Sequence, residues 1–131
     1  MPIPKKYTTT VLKNEKFSKD TFLLTLKLPE ELEFKAGQFV LVYFNIDNKE
    51  INRAFSIASK PSQKDRIELL IKKFDSGAVS PKLYELNPGD RLDIRAPFGV
   101  FTILNPKKDT VFIAAGTGLA PLRSMLLDLL E

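Results

Sequence analysis

The chain has 131 residues, of which 44% are hydrophobic and 27% charged, a balance that describes one soluble globular domain and excludes a disordered or fibrous chain. It contains no Cys, so these residues form no disulfide framework, thiolate nucleophile or cysteine-held iron–sulfur cluster. It contains no His, which removes the commonest general base and the commonest zinc ligand.

A net charge of +4, spread over scattered lysines, reads as a solvated surface and leaves room for an acidic protein partner without selecting one. No apolar run reaches the ~18 residues of a membrane span, and Met1-Pro2-Ile3-Pro4-Lys5-Lys6 lacks the apolar stretch of a signal peptide. A cytoplasmic protein without a metal site is therefore expected, and any chemistry is expected to come from a bound cofactor.

The first half reads as short strands. Thr8, Thr9, Thr10 and Val11 suit a pleated, half-exposed strand within 7–17. Phe22, Leu24, Leu26 and Leu28 alternate with mostly polar residues, which gives period 2 and one buried face, and Pro29 stops that strand. A loop through Glu33, Lys35 and Gly37 leads into Gln38-Phe39-Val40-Leu41-Val42-Tyr43-Phe44, apolar on both faces. A turn over 45–49 then precedes Arg53-Ala54-Phe55-Ser56-Ile57-Ala58-Ser59. On a strand Arg53, Phe55 and Ile57 share one face and Ser56 takes the other, unless a kink re-aims it. A guanidinium can grip two oxygens of a phosphate, and an aromatic two positions along can cover a flat ring. A plain barrel strand with a surface Arg fits the same residues.

A further strand is expected over 67–74, with Ile67, Leu69 and Ile71 on one face. In Asp75-Ser76-Gly77-Ala78-Val79-Ser80-Pro81-Lys82-Leu83, Ser80 before Pro81 resembles a helix N-cap followed by its first position, so a short helix from Pro81 to about Leu86 is expected. Its N-terminus could receive an anion, or could simply be capped. Asn87-Pro88-Gly89-Asp90 is placed for a type II turn, and Arg91-Leu92-Asp93-Ile94-Arg95 alternates as the last strand. The fold class expected is all-β: a closed six-stranded antiparallel Greek-key barrel with one short capping helix, over 1–104.

The pattern then changes. Asn105-Pro106-Lys107-Lys108-Asp109 is a polar linker, and Thr110-Val111-Phe112-Ile113-Ala114-Ala115 is a continuous apolar run of the kind buried in parallel sheets. Gly116-Thr117-Gly118-Leu119-Ala120-Pro121 follows, then an apolar helix over 122–130. Strand, glycine turn and helix N-terminus are the parts of a dinucleotide-phosphate cradle, so 105–131 is expected to open an α/β Rossmann-like unit that these residues leave incomplete. Such a unit exposes a strand edge and an apolar helix face, so it is expected either to associate with a second chain or copy, or to pack back onto the barrel.

Several of these stretches together resemble the ferredoxin–NADP reductase superfamily. Arg53-Ala54-Phe55-Ser56-Ile57-Ala58-Ser59 resembles its R-x-[YF]-S-x-x-S flavin motif. Gly77, Ser80 and Leu83 match G-x-x-S-x-x-L, and Phe34 to Phe39 matches F-x-x-G-Q-F. Ala96-Pro97-Phe98-Gly99 resembles the G-P-x-G corner with Ala for the first Gly, and Gly116 to Pro121 has the form G-x-G-x-A-P. The resemblance implies an FAD-binding barrel (FAD rather than FMN) in an NAD(P)H-dependent oxidoreductase. Hydride would pass between nicotinamide and flavin, and electrons would go on to ferredoxin or another iron–sulfur protein. Arg53 would pair with the flavin diphosphate, Phe55 would lie against the ring, and Ser56, helped by the Ala54 backbone, would sit by the nitrogen that exchanges hydride. Leu70, Ile71, Lys72 and Phe74 would line ring and diphosphate, and Gly77, Ala78, Val79 and Ser80 would donate to the phosphates. Gly116, Thr117, Gly118, Ala120 and Pro121 would border the nicotinamide nucleotide. The alternative from another class is a non-catalytic barrel serving as an interaction or electron-transfer module, or binding nucleic acid. The isolation of Phe55 and Phe74 disfavours a base-stacking face.

Overall fold

The computed structural model describes residues 2–131. Six strands form one antiparallel sheet: β1 Lys5–Lys16, β2 Thr21–Lys27, β3 Phe39–Ile46, β4 Lys49–Ser56, β5 Arg66–Lys72 and β6 Arg91–Phe98. Helix α1 covers Ser80–Tyr84 and helix α2 covers Leu119–Leu129. The sheet order is β4-β3-β6-β1-β2-β5, so the last strand inserts between the first and third, and the sheet curls into a barrel. Its inner face carries Phe22, Leu24 and Leu26 of β2, Val40 and Val42 of β3, Ile67, Leu69 and Ile71 of β5, and Leu92 and Ile94 of β6, all essentially inaccessible to water. The period-2 assignments of β2 and β5 are therefore correct in face as well as in type. Val79 and Leu83 bring α1 into the same core.

The turns follow their residue chemistry. Ile46 pairs with Lys49 across Asp47 (φ 51°) and Asn48 (φ 63°), two short polar residues that tolerate the left-handed region of a tight hairpin. Gly89 has φ 95° and the Asp90 N–H donates to the Asn87 carbonyl at 3.0 Å, as a type II turn requires. That turn docks on β1 where its register shifts between Val11 and Lys13, with Gly89 N–H to the Val11 carbonyl at 2.9 Å and Val11 N–H to the Asp90 carbonyl at 2.8 Å. Ala96, in the place of a family glycine, is buried inside β6 and needs no positive φ, so the substitution leaves the strand intact.

Four expectations are corrected. β6 runs on through Pro97 to Phe98, beyond the stretch that alternates. The capping helix is shorter, Ser80–Tyr84. The apolar stretch 110–115 forms no strand: among the described residues it pairs with nothing, and Val111 and Ile113 are left 84% and 87% exposed. A strand is defined by its ladder, and these residues have no neighbouring strand to supply one. Helix α2 begins at Leu119, earlier than expected, and places Pro121 in its first turn, where the missing N–H costs nothing. It packs back onto the barrel through a small cluster in which Leu122 and Met125 meet Ala36, flanked by Ile103 and Phe112. No helix among the described residues is long and apolar enough to cross a membrane.

Candidate functional site

The barrel has a seam. β4 and β5 are the two ends of the strand order, and the bridge Ile57↔Leu69 is the pairing that joins them. The Ala58 N–H donates to the Glu68 carbonyl at 2.7 Å and the Glu68 N–H to the Ser59 hydroxyl at 3.0 Å, so this end is shut. Carried on in the same register, Phe55 would face Ile71 and Arg53 would face Lys73, but no such pairs form among the described residues. The edges part, so the barrel is closed at one end of the seam and open at the other. The slot between them has unladdered backbone along both walls.

One wall carries the Arg53 motif. Phe55 pairs with Val40 and Arg53 with Val42, two fully buried residues, so both side chains stand on the core-facing side of β4. Phe55 packs half-buried against the core, while Arg53, at the open part of the seam, stays exposed. Its Nη1 donates to the neighbouring Asn52 carbonyl at 2.7 Å, and it forms no ion pair among the described residues, so its charge is available to an incoming anion. Ala54 is exposed. Ser56, half-buried, pairs with Phe39 on the other face, where the Phe39 ring stacks on Phe98 with centroids 5.7 Å apart. Arg53 and Phe55 are thus brought together, and Ser56 lies across the strand from them.

The other wall carries Leu70, half-buried, Ile71, buried, and Lys72, exposed with its ammonium 5.4 Å from the Phe74 ring, itself 57% exposed. The chain then folds tightly. The Gly77 N–H donates to the Phe74 carbonyl at 2.8 Å, and the Phe74 N–H donates to the Ser80 hydroxyl at 2.9 Å. Ser80 therefore is not the N-cap. That position belongs to Val79, which caps with no side chain, because the buried Ser80 hydroxyl is turned back to satisfy the loop. A Cβ on Gly77 would stand 3.1 Å from both the Phe74 carbonyl oxygen and Ser80 Oγ, so a side chain there would press on both. Gly77 and Ala78 are exposed and Val79 is buried. Nearby, the Lys16 and Lys73 ammonium groups lie 3.8 and 4.4 Å from the Tyr84 ring. Burial, with repulsion from Lys73, holds Lys16 below the usual lysine value.

The glycine turn lies beside β5. Gly116 takes φ 56°, Gly116–Gly118 form one 3-10 turn, and α2 follows directly. Gly116 and Gly118 are exposed, Thr117 and Pro121 half-buried and Ala120 buried. Arg123 and Ser124, just beyond this turn, were not expected to matter. Arg123 Nη1 donates to the Ala58 carbonyl at 2.7 Å and lies 3.2 Å from Glu68 Oε1, while the buried Ser124 hydroxyl donates to the Ser59 carbonyl at 2.6 Å. The available signal was a cation and a hydroxyl interrupting an otherwise apolar helix. Among the described residues, no cluster of three or more carboxylates forms a metal site.

These parts fit a flat, polar-edged ring with a diphosphate tail. The slot offers unladdered backbone for the ring edge, Phe55 offers an apolar face, and Arg53 and the open Gly77 loop offer charge and bare backbone for phosphate. Comparison with known proteins places the chain in a family. The chain is 41% identical over 127 residues to the phenol hydroxylase P5 protein of Acinetobacter pittii, covering 95% of this chain and 35% of that protein. Its fold matches a cytochrome P450 reductase of Amycolatopsis with a TM-score of 0.87 and 30% identity, over 99% of this chain and 40% of that one. It also matches a ferredoxin NADP+ reductase of Neisseria gonorrhoeae with bound FAD and NADP, with a TM-score of 0.78 and 25% identity, over 96% of this chain and 51% of that one. The chain thus spans about a third to a half of the length of these relatives. The model of the oxidoreductase FAD-binding domain matches residues 8–103, and to that family this chain belongs.

Proposed function

We propose that the chain is the flavin-binding part of an NAD(P)H-dependent oxidoreductase that passes electrons to ferredoxin or another iron–sulfur acceptor. The observation that carries this reading is the half-open β4–β5 seam, with Arg53 exposed and without a carboxylate partner among the described residues. FAD, when bound, supplies the hydride and single-electron chemistry that no side chain of a Cys-free, His-free chain offers.

The chain's own residues would bind and orient. Arg53 would neutralise the diphosphate and Phe55 would cover one ring face. The backbone of Ala54, with Leu70, Ile71 and Lys72, would meet the ring edge in the slot. Lys72 and Phe74 would flank the tail, and Gly77, Ala78, Val79 and Ser80 would place backbone N–H groups toward phosphate. Ser56 would act beside the reacting ring position, although it lies across β4 from Phe55 and would have to reach around the strand. Gly116, Thr117, Gly118, Ala120 and Pro121 would border the nicotinamide nucleotide, so residues 105–131 would open an NAD(P)-binding domain after a flavin domain over 1–104. The 110–115 stretch, with Val111 and Ile113 exposed, would be covered by a further strand, from the longer polypeptide typical of the relatives or from a second chain.

The test is a titration of the purified chain with FAD. Quenching of flavin fluorescence with a shift of the flavin absorbance bands is expected, and saturation at a 1:1 ratio. A chain that leaves both signals unchanged refutes the reading.

A further inference from the structure

By sequence α2 belongs with the glycine turn, yet its polar contacts lie on the seam of the barrel. The Arg123 guanidinium donates to the carbonyl of Ala58, just beyond β4, and to the carboxylate of Glu68, on β5, so one side chain is tied to both edges of the sheet. Ser124, fully buried, holds the next carbonyl, that of Ser59. These three attachments sit within two residues of the bridge Ile57↔Leu69, at the shut end of the seam. Two residues the other way, at Phe55 and Ile71, the edges have already parted. β4 and β5 stay laddered to β3 and β2, so among the described residues the two edges are tied to each other only at the shut end, and the gap beyond it follows how that end is held.

We propose that Arg123 and Ser124 are positioning residues for the flavin: they clasp the shut end of the β4–β5 seam and thereby set the width of the slot that receives the ring. The proposal rests on the flavin reading above. It makes α2 part of the flavin site through the barrel seam, and places the functional edge of the flavin domain beyond residue 104. It also ties the Gly116–Pro121 turn to the slot, because α2 starts in that turn and ends its first two turns on the seam.

The experiment uses the full 131-residue chain and its Arg123→Ala, Arg123→Lys and Ser124→Ala variants, each titrated with FAD and followed without FAD by amide hydrogen exchange. Loss of a charge-assisted bond to two partners is expected to weaken FAD binding about 10- to 100-fold in Arg123→Ala, and the single neutral bond of Ser124→Ala a few-fold, about 3- to 10-fold. Arg123→Lys keeps one of the two attachments and is expected to recover part of the affinity. In the FAD-free variants the Ala58 and Glu68 amides are expected to exchange faster, while the β1–β6 pairs around Tyr7 and Ile94 keep their protection. Wild-type FAD affinity in both Arg123→Ala and Ser124→Ala overturns the clasp and leaves the flavin reading standing. Loss of protection spread evenly through β1–β6, without recovery in Arg123→Lys, also overturns it, since that is general destabilisation. Failure of the wild-type chain to bind FAD overturns both. Ser124→Ala, a smaller change, carries the test if Arg123→Ala does not fold.

Discussion

Substituting Gly37 by Ala separates the barrel from its C-terminal segment. Gly37 has φ +104°, and a Cβ there would lie 1.7 Å from the Phe101 carbonyl oxygen and 2.6 Å from the terminal methyl of Met125. Against a usual C···O contact of about 3.3 Å, the Phe101 backbone would have to retreat by roughly 1.6 Å, and the positive φ itself costs an alanine about 1–3 kcal/mol. The chain can escape the overlap only by lifting 100–131 off the barrel. That escape surrenders the burial of Leu122 and Met125, worth about 1.5–3 kcal/mol each, or about 3–6 kcal/mol together. Neither residue belongs to the main core, which is formed by strands β1–β6 with α1 and so keeps its packing. Gly37→Ala is therefore expected to leave a folded barrel with α2 loosened, its unfolding midpoint lowered by the φ strain together with the lost docking of α2. Limited proteolysis should cut within 100–131 at protease levels that spare the wild type, and amide exchange should lose protection in α2 while β1–β6 keeps it. A variant whose α2 amides exchange as slowly as the wild type's refutes the reasoning, because the overlap at Phe101 would then have been absorbed some other way.

The remaining predictions concern charge, core and pH. Arg53→Ala is expected to weaken FAD binding by about 1.5–3 kcal/mol, roughly 10- to 150-fold, through loss of a charge-assisted contact; an unchanged titration curve would remove Arg53 from the site. Its unfolding midpoint without FAD should not move, since Arg53 is exposed and, among the described residues, bonds only to the Asn52 carbonyl. Leu24→Ala, at a position with no exposure, should cost about 2–5 kcal/mol in denaturant unfolding, and a cost under about 1 kcal/mol would contradict its place in the core. Hydrogen bonds from Lys60 first and then Ser62 hold the Glu131 carboxyl below its ordinary value of 4.5. That tether therefore helps dock α2 above about pH 4.5 and is lost as pH falls through the lower folded value. Protease sensitivity of α2 should rise on acidification in that window, and Glu131→Gln should flatten the pH dependence.

Much of the barrel can be read from the chain because strand patterning and tight turns are local. A residue's face follows from its neighbours two places away, so Phe22, Leu24 and Leu26, or Ile67, Leu69 and Ile71, announce a buried side without any knowledge of partners. The turn at Gly89 is likewise fixed by four consecutive residues. The pairing of Arg53 with Phe55 on one face follows from the same period, as does the separation of Ser56 from them.

Whatever depends on partners was decided only in three dimensions. The apolar stretch 110–115 has the composition of a buried strand, but a strand exists only against another strand, and none is present beside it. Ser80 has the local look of a helix cap, but the amide that claims its hydroxyl belongs to Phe74, six residues back. The half-open seam follows from the strand order, which puts β4 and β5 at opposite ends of the sheet and then curls those ends together. Arg123 and Ser124 find carbonyls 65 residues away, a distance at which no periodicity carries information. The sequence by itself determined the six strands of the barrel and their faces, and it put forward the residues proposed to hold a flavin. The tertiary structure alone decided the slot between the strands and the helix that clasps its shut end, because both arise where chain segments far apart in sequence meet.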